Sequence, residues 1–364
     1  MGQKSSGDYK KGLGFVPNSW SRSSKDPITL LLKSAPTIAM GQCSLSETSH
    51  LQYQQNPTVP LFDLSEISVA EGLKREEIID ELGHALVRVG FIGIKAEKIS
   101  PLIQQLYGEM AKYFRQPLEN KIYNWQSEKM EGYCGIGGET GPRALRPDFK
   151  ESYFISSQFN EFPQNCPTLQ RMAQEYYGIL NQVGKYVTSF IMEFLGENSD
   201  VENVDVDLGN HTLRLAYYPP IKPGDEPTGT WAAPHRDKSI ISIMSKGTVP
   251  GLQYYSRKGH WEPVVIPDRY ILVNAGLLLQ HKTAGLIKAP WHRVLNPWGK
   301  YTRSERLSTA YYSMWQNSYS LDPFEKCLQK VTSKMSPKRK RDYLENYSPM
   351  TVEEKLNAPV VAMN

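Results

Sequence analysis

The sequence predicts an α+β protein: a double-stranded β-helix, or jelly roll, in the second half of the chain, with a helix-rich first half packed against it. Three observations lead to this prediction. Before residue 208, apolar residues recur at helical spacing. After residue 208 the chain becomes a series of short β-type segments separated by glycine, proline and aspartate, which is typical of a two-sheet jelly roll. No repeat with the period of a solenoid or a propeller is visible.

We expect four regions, of which the helix-rich region and the strand-rich region share one core. Residues 1–57 are polar and rich in serine, and are predicted to form an extension that is mobile or lies on the surface. Residues 58–207 are the helix-rich region, residues 208–316 the jelly-roll core, and residues 317–364 a helical carboxy-terminal extension. A hydrophobic content of 40% is enough to fill such a core.

The first half contains three predicted helices and one strand. Helical spacing of apolar residues predicts a helix from Ala70 to Val89, and Phe91–Ile94 follows as a strand. Ser100 and Pro101 are a good start for a helix that runs to Phe114. The stretch Pro167–Leu195 carries a long apolar stripe and is predicted to pack on a sheet. Residues 132–141 are glycine-rich and are predicted to be a loop without the context of a nucleotide-binding turn.

The second half contains the predicted strands. These are His211–Tyr218, Ser239–Ser245, Leu252–Tyr255, Trp261–Ile266, Tyr270–Asn274, His292–Leu295 and Leu307–Trp315. Beyond them, the basic run Lys334–Arg341 is predicted to begin a solvated helix rather than to be a targeting sequence.

Two histidines and an aspartate form a candidate metal site. His235 and Asp237 are two residues apart, so on one β-strand both side chains project to the same side. His292 follows after enough chain for several strands to fold back. Two imidazoles and one carboxylate form the three-ligand face that holds non-heme Fe(II) and leaves other positions open. A zinc hydrolase uses similar ligands, but it does not explain the residues described next.

An arginine and a serine, also two residues apart, follow the second histidine. Arg306 and Ser308 would share one strand face, where a guanidinium beside a hydroxyl suits a cosubstrate that carries a carboxylate. No catalytic side chain beyond the metal centre is predicted. The remaining histidines are expected to be ordinary surface or packing residues: His50, His84, His211, His260, and His281, which we expect in a polar loop. Asn274 is expected to make an internal hydrogen bond because it lies in an apolar strand.

With these residues and their flanking motifs, the chain resembles the isopenicillin N synthase-like family of 2-oxoglutarate-dependent iron oxygenases. The resemblance covers about residues 58–316, and its motifs are Val59–Ser65, Gly90–Gly93, Pro147–Glu151, Leu213–Pro220, Gly251–Gln253, Trp261–Val264, Val273–Gly276, Lys288–Val294 and Arg306–Ser308. It implies Fe(II) as cofactor, 2-oxoglutarate and O2 as cosubstrates, and release of succinate and CO2. The substrate would be a small molecule that is hydroxylated, desaturated or cyclised.

The resemblance also assigns roles to further residues. Arg306 would hold the distal carboxylate of 2-oxoglutarate, Ser308 would donate a hydrogen bond, and Tyr218 would contact cosubstrate or substrate. Arg214 is an even number of residues away from Tyr218, so on one strand both side chains project to the same face. Arg214 is therefore either a second cationic group facing the cavity or part of a salt bridge at the rim. Lys150, together with Lys238, Arg143 and Arg146, either meets an acidic substrate near the mouth or belongs to a solvated face.

Two other functions stay open at this point. One is an iron oxidase of the same fold that uses O2 without 2-oxoglutarate. The other is a non-catalytic binding or sensor protein on this scaffold.

Composition excludes several classes of partner. The formal charge of +4 is small for 364 residues and gives no case for nucleic acid. No stretch approaches the ~20 apolar residues of a membrane span, and no secretory pattern is present.

The four cysteines are scattered without metal-ligand spacing, which favours reduced thiols in the cytoplasm. Residues 1–6 fit the loose N-myristoylation pattern, although we do not expect the modification. The sequence predicts no oligomeric state.

Overall fold

The structure is a computed structural model that describes residues 56–122, 131–140, 147–156, 162, 165–199, 209–221 and 230–359. Most of the predicted extension over 1–57, including the myristoylation pattern, lies outside the described residues, as do Arg143 and Arg146. In the part of the chain that is described, no helix has the length and apolar character needed to cross a membrane.

The three helices predicted in the first half lie close to their predicted positions over 72–88, 100–114 and 167–195. The helices of the described residues are α1 (Leu64–Val69), α2 (Gly72–Arg88), α3 (Ser100–Phe114), α4 (Pro167–Leu195), α5 (Leu277–Lys282), α6 (Glu325–Thr332), α7 (Pro337–Leu344) and α8 (Val352–Asn357). α4 ends where Gly196 adopts a left-handed φ of 69°, a conformation that glycine takes without steric strain. The Ser336 side chain caps α7, and Thr351 and Glu354 form a reciprocal capping box at α8.

The described strands form two sheets. They are β1 (Leu61–Phe62), β2 (Phe91–Lys95), β3 (Gly132–Cys134), β4 (Glu151–Ser156), β5 (Thr212–Tyr218), β6 (Ala232–His235), β7 (Ile241–Ser245), β8 (Leu252–Tyr255), β9 (Trp261–Pro263), β10 (Tyr270–Ala275), β11 (His292–Val294) and β12 (Arg306–Tyr312). Within the described residues the major sheet has the order β1-β2-β10-β7-β12-β5-β4-β3, and the minor sheet β6-β11-β8-β9. This is the predicted jelly roll with helices added, an α+β fold.

Two local predictions were wrong. The glycine-rich stretch is not all loop, because Gly132–Cys134 forms β3 and pairs with β4, with Tyr133 opposite Tyr153. His281 is not in a polar loop but in α5, where it is 1% exposed and its Nε2 lies 3.0 Å from the carbonyl oxygen of Ser348. In both cases the deciding contact comes from a distant part of the chain.

One hydrophobic core joins the helix-rich half to the jelly roll. Its buried side chains come from α2, α3 and α4 and from the major sheet, among them Leu82, Leu86, Leu106, Leu180, Val187, Leu213, Ile243 and Tyr311. The same cluster reaches Leu321, Cys327 and Val352 near the carboxy terminus. The long apolar stripe of α4 therefore packs on the sheet, as its spacing predicts.

Candidate metal centre

The two histidines of the predicted metal site lie side by side on neighbouring strands of the minor sheet. β6 and β11 are antiparallel, His235 is paired with His292, and the ring centroids are 4.3 Å apart. Nδ1 of His235 lies 2.7 Å from the carbonyl oxygen of Ala233, and Nδ1 of His292 lies 3.1 Å from that of Pro290. A carbonyl oxygen only accepts, so each Nδ1 carries the proton and each Nε2 keeps its lone pair for a metal.

Asp237 completes the site from beyond the end of a strand. Its Oδ1 lies 3.7 Å from Nε2 of His235 and 3.6 Å from Nε2 of His292. The prediction that His235 and Asp237 share one strand was wrong, because β6 ends at His235. The Asp237 carbonyl instead accepts a hydrogen bond from the Leu277 amide, and Oδ2 accepts one from the Asn274 side chain at 3.0 Å. Asn274 thus makes the internal hydrogen bond that the sequence predicts.

The geometry and chemistry of this donor set fit Fe(II). The three ligand atoms lie within 4.8 Å of one another, and two imidazoles plus one carboxylate are the ligands of the non-heme iron face. Burial and the neighbouring His292 lower the pKa of His235 to about 3, which keeps its imidazole neutral. Burial alone would raise the pKa of Asp237, but the two imidazoles hold it at about 2. Both residues are therefore in the protonation states that metal binding requires.

The predicted cosubstrate residues also lie together. Arg306 on β12 is paired with Tyr218 on β5, and its guanidinium carbon lies 4.9 Å from the centre of the tyrosine ring. Its Nη1 donates to the Ser308 hydroxyl at 2.8 Å, and its Nε donates to the Val249 carbonyl at 3.0 Å. Arg306 is 4% exposed, so this guanidinium is fixed in the interior rather than on a solvated rim.

The two predicted substrate residues belong to a buried charge network. Arg214 lies on the same face of β5 as Tyr218, and its Nη1 is 3.2 Å from Oε2 of Glu139. Lys150 is 4% exposed and lies 2.6 Å from Oδ2 of Asp148 and 3.2 Å from the same oxygen of Glu139. Lys150 is therefore not part of a solvated face, and the Arg214 salt bridge is internal.

Sequence reasoning missed the two acidic members of this network. Asp148 lies in the motif Pro147–Glu151, which gives it no role, and Glu139 lies in the glycine-rich stretch and belongs to no recognisable sequence pattern. Of the other histidines, His211 accepts a hydrogen bond from the Met314 amide and His260 pairs with Glu262 at 3.0 Å, in keeping with ordinary structural roles.

Comparison with known proteins identifies the family. Residues 59–174 match the family model described as the N-terminal region of non-haem dioxygenases in morphine synthesis, and residues 209–313 match that of the 2OG-Fe(II) oxygenase superfamily. The chain belongs to the 2OG-Fe(II) oxygenase superfamily. The second match contains all three metal-site residues together with Arg306 and Ser308.

Individual relatives are distant but cover most of the chain. Mugineic-acid 3-dioxygenase of Hordeum vulgare is 26% identical over 65% of this chain and 69% of its own length. Isopenicillin N synthase of Amycolatopsis lactamdurans is 23% identical over 73% of this chain and 87% of its own. A full-length Neurospora crassa protein crystallised with alpha-KG superposes with a TM-score of 0.69 at 23% identity, over 82% of this chain and 94% of that one. The oxygenase is thus an isopenicillin N synthase-like enzyme that depends on Fe(II) and 2-oxoglutarate.

Proposed function

We propose that this oxygenase holds Fe(II) through His235, Asp237 and His292 and uses it to oxidise a C–H bond of a small molecule by hydroxylation, desaturation or ring closure. The observation that carries the proposal is the position of Asp237, whose Oδ1 is within 3.7 Å of both free imidazole nitrogens. Fe(II) supplies O2 activation when it is bound, and 2-oxoglutarate is consumed to succinate and CO2. The protein's own part is to hold the metal and to position the reactants.

Arg306 and Ser308 are proposed to bind the distal carboxylate of 2-oxoglutarate. Within the described residues no carboxylate pairs with Arg306, although its guanidinium is almost fully buried. Two of its nitrogens are held by Val249 and Ser308, so the fork is oriented before any ligand arrives. A buried cation without a counter-ion is unfavourable, and a carboxylate with bidentate geometry removes that penalty. Tyr218, on which the guanidinium stacks, would form the wall of this end of the site.

Arg214 is the stronger of the two candidates for substrate recognition. Lys150 is already neutralised by Asp148 and Glu139, whereas the buried Nε of Arg214 has no hydrogen-bond partner. A substrate that presents a carboxylate or another strong acceptor would satisfy this nitrogen.

The test is turnover by protein reconstituted with Fe(II) under controlled oxygen. We expect succinate to form in step with O2 consumption, and His235→Ala, Asp237→Ala and His292→Ala each to abolish it. His260→Ala is the matched control because this histidine is exposed and lies outside the site. O2 consumption by the wild type without 2-oxoglutarate would favour an iron oxidase. Metal binding with no O2 consumption under any condition would favour a sensor.

We also propose that the enzyme works in the cytoplasm and has no nucleic-acid partner. Cys134 and Cys327 are free and buried, and burial raises the pKa of both thiols to about 11, so both stay protonated. The formal charge of +4 supports the second point. Cell fractionation with an antibody against the chain tests the location.

A further inference from the structure

The strand that carries His235 lies at the edge of the minor sheet. β6 pairs with β11 on one side, and among the described strands it has no neighbour on the other. Pro234 has no amide hydrogen, which suits an edge position. The other backbone groups of an edge strand still need partners. Here the segment 147–150 supplies one partner on β6 and one just before it. Oδ1 of Asp148 accepts from the Ala233 amide at 2.9 Å, and the Phe149 amide donates to the carbonyl of Thr230, two residues before the strand, at 3.2 Å.

The second carboxylate oxygen of Asp148 also has a partner, which fixes the side chain. Oδ2 accepts a hydrogen bond from the Lys150 ammonium at 2.6 Å, and Lys150 also contacts Glu139 at 3.2 Å. Asp148 and Lys150 are 5% and 4% exposed, so this ion pair has little freedom to exchange its partners for water. The carboxylate is therefore a fixed acceptor aimed at β6.

Ala233 connects this acceptor to the imidazole of His235. Its amide donates to Asp148, and its carbonyl oxygen lies 2.7 Å from Nδ1 of His235. Pro234, next in the chain, restricts the backbone between the carbonyl and the histidine. We propose that Asp148 is a positioning residue for the metal centre, which fixes the Ala233 backbone and thereby the ring of His235. This inference rests on the proposed role of His235 as a metal ligand.

The two imidazoles differ in their need for such support. His292 lies on β11, which has strand neighbours on both sides, β6 and β8. His235 has a strand neighbour on one side, and Asp148 takes the place of the other. Loss of Asp148 should therefore disturb the His235 side of the centre and leave the fold of the minor sheet intact.

The experiment compares two double variants that differ in one acceptor. In Asp148→Asn/Lys150→Met the ion pair is gone, but the amide oxygen can still accept from Ala233. In Asp148→Ala/Lys150→Met the ion pair is gone and no side-chain oxygen is left to accept from Ala233. Co(II) is the probe, because its visible absorption reports ligand geometry independently of turnover. We expect the alanine double variant to bind Co(II) about tenfold more weakly, with an altered spectrum, and the asparagine double variant to stay within about threefold of the wild type.

Two control variants separate the possible failures. Glu151→Gln breaks another buried ion pair, with Lys121 at 2.5 Å, and is expected to leave Co(II) affinity within about twofold. An equal loss of affinity in this variant would mean that general destabilisation is responsible, which overturns the inference. Wild-type affinity and spectrum in both double variants would also overturn it. Undiminished Co(II) binding by His235→Ala would instead refute the proposed function.

A measurement on the unaltered protein keeps the test independent of how the variants fold. In the metal-free wild type, the Ala233 amide should exchange its hydrogen at least about 100-fold more slowly than an open amide. Exchange at the open rate would show that Asp148 does not hold this amide, and the inference would fail.

Discussion

Gly247 lies directly against the guanidinium of Arg306. A Cβ added at Gly247 would stand 2.4 Å from Nη2 and 2.6 Å from the guanidinium carbon. The guanidinium cannot simply swing away, because Val249 and Ser308 hold two of its nitrogens and the side chain is buried. Close packing at Gly247 therefore helps to set the orientation of the fork that we assign to 2-oxoglutarate.

Replacing Gly247 by alanine should weaken the binding of 2-oxoglutarate. The methyl group must displace the guanidinium, so we expect KM for 2-oxoglutarate to rise about tenfold, with a smaller change in kcat. Initial rates of succinate formation at varied 2-oxoglutarate concentration measure this. Gly108→Ala is the control, since a Cβ there meets nothing within 4 Å. An unchanged KM in Gly247→Ala would show that the guanidinium does not bind the cosubstrate in this orientation.

Arg306→Lys should keep the charge but lose the fork. Lysine cannot make two parallel hydrogen bonds to one carboxylate, nor can it hold Ser308 and Val249 together. We expect the dissociation constant for 2-oxoglutarate to rise by about 10- to 100-fold, measured by calorimetry on protein loaded with an inert metal. A change of less than twofold would contradict the assignment of Arg306.

Asn274→Ala should loosen the carboxylate side of the metal centre. Asn274 is fully buried and donates to Oδ2 of Asp237, so its removal leaves that oxygen without this donor. We expect unfolding free energy to fall by about 1–3 kcal/mol and Co(II) affinity to fall about tenfold. Asn181→Ala, which removes an acceptor for the Tyr311 hydroxyl away from the site, is expected to affect stability alone. Equal Co(II) affinities in both variants would argue against a role for Asn274 at the metal.

Glu139 should make stability depend on acidic pH. Burial alone would raise its pKa, but Arg214 and Lys150 lower it from 4.5 to about 2. Because the folded-state pKa is depressed, the stabilisation of about 3 kcal/mol is present above about pH 4.5 and is lost as the pH falls towards 2. In urea unfolding, the difference between wild type and Glu139→Gln should be constant above pH 5 and shrink below 4.5. A difference that does not change down to pH 3 would contradict the depressed pKa.

The alternation of side chains along a strand correctly predicted which of these residues share one face of the sheet. Arg306 and Ser308 lie on one face of β12, and Tyr218 and Arg214 lie on the same face of the neighbouring strand β5, because alternation along a strand is a local property. The same reasoning failed for Asp237. β6 stops at His235, and the carboxylate reaches the site because Leu277 and Asn274 fix the backbone and side chain beyond the strand. Those contacts join segments about forty residues apart and leave no local pattern.

The acidic partners were hidden for a similar reason. Glu139 is surrounded by glycines that suggest a loop, and only the folded chain brings it to Arg214 and Lys150. β3 was not predicted because the sequence between β3 and β4 contains no turn motif that is typical of a tight hairpin. Long-range ion pairs and pairings depend on tertiary packing, which single-sequence patterns do not contain.

The hydrophobic core that α2, α3 and α4 share with the major sheet has a practical consequence. The two family matches, over 59–174 and 209–313, do not mark separable folding units. A fragment limited to the iron-binding half would present Leu213, Ile243 and Tyr311, all fully buried in the whole chain, to solvent. Such a fragment should aggregate on expression even though it carries all three proposed metal ligands.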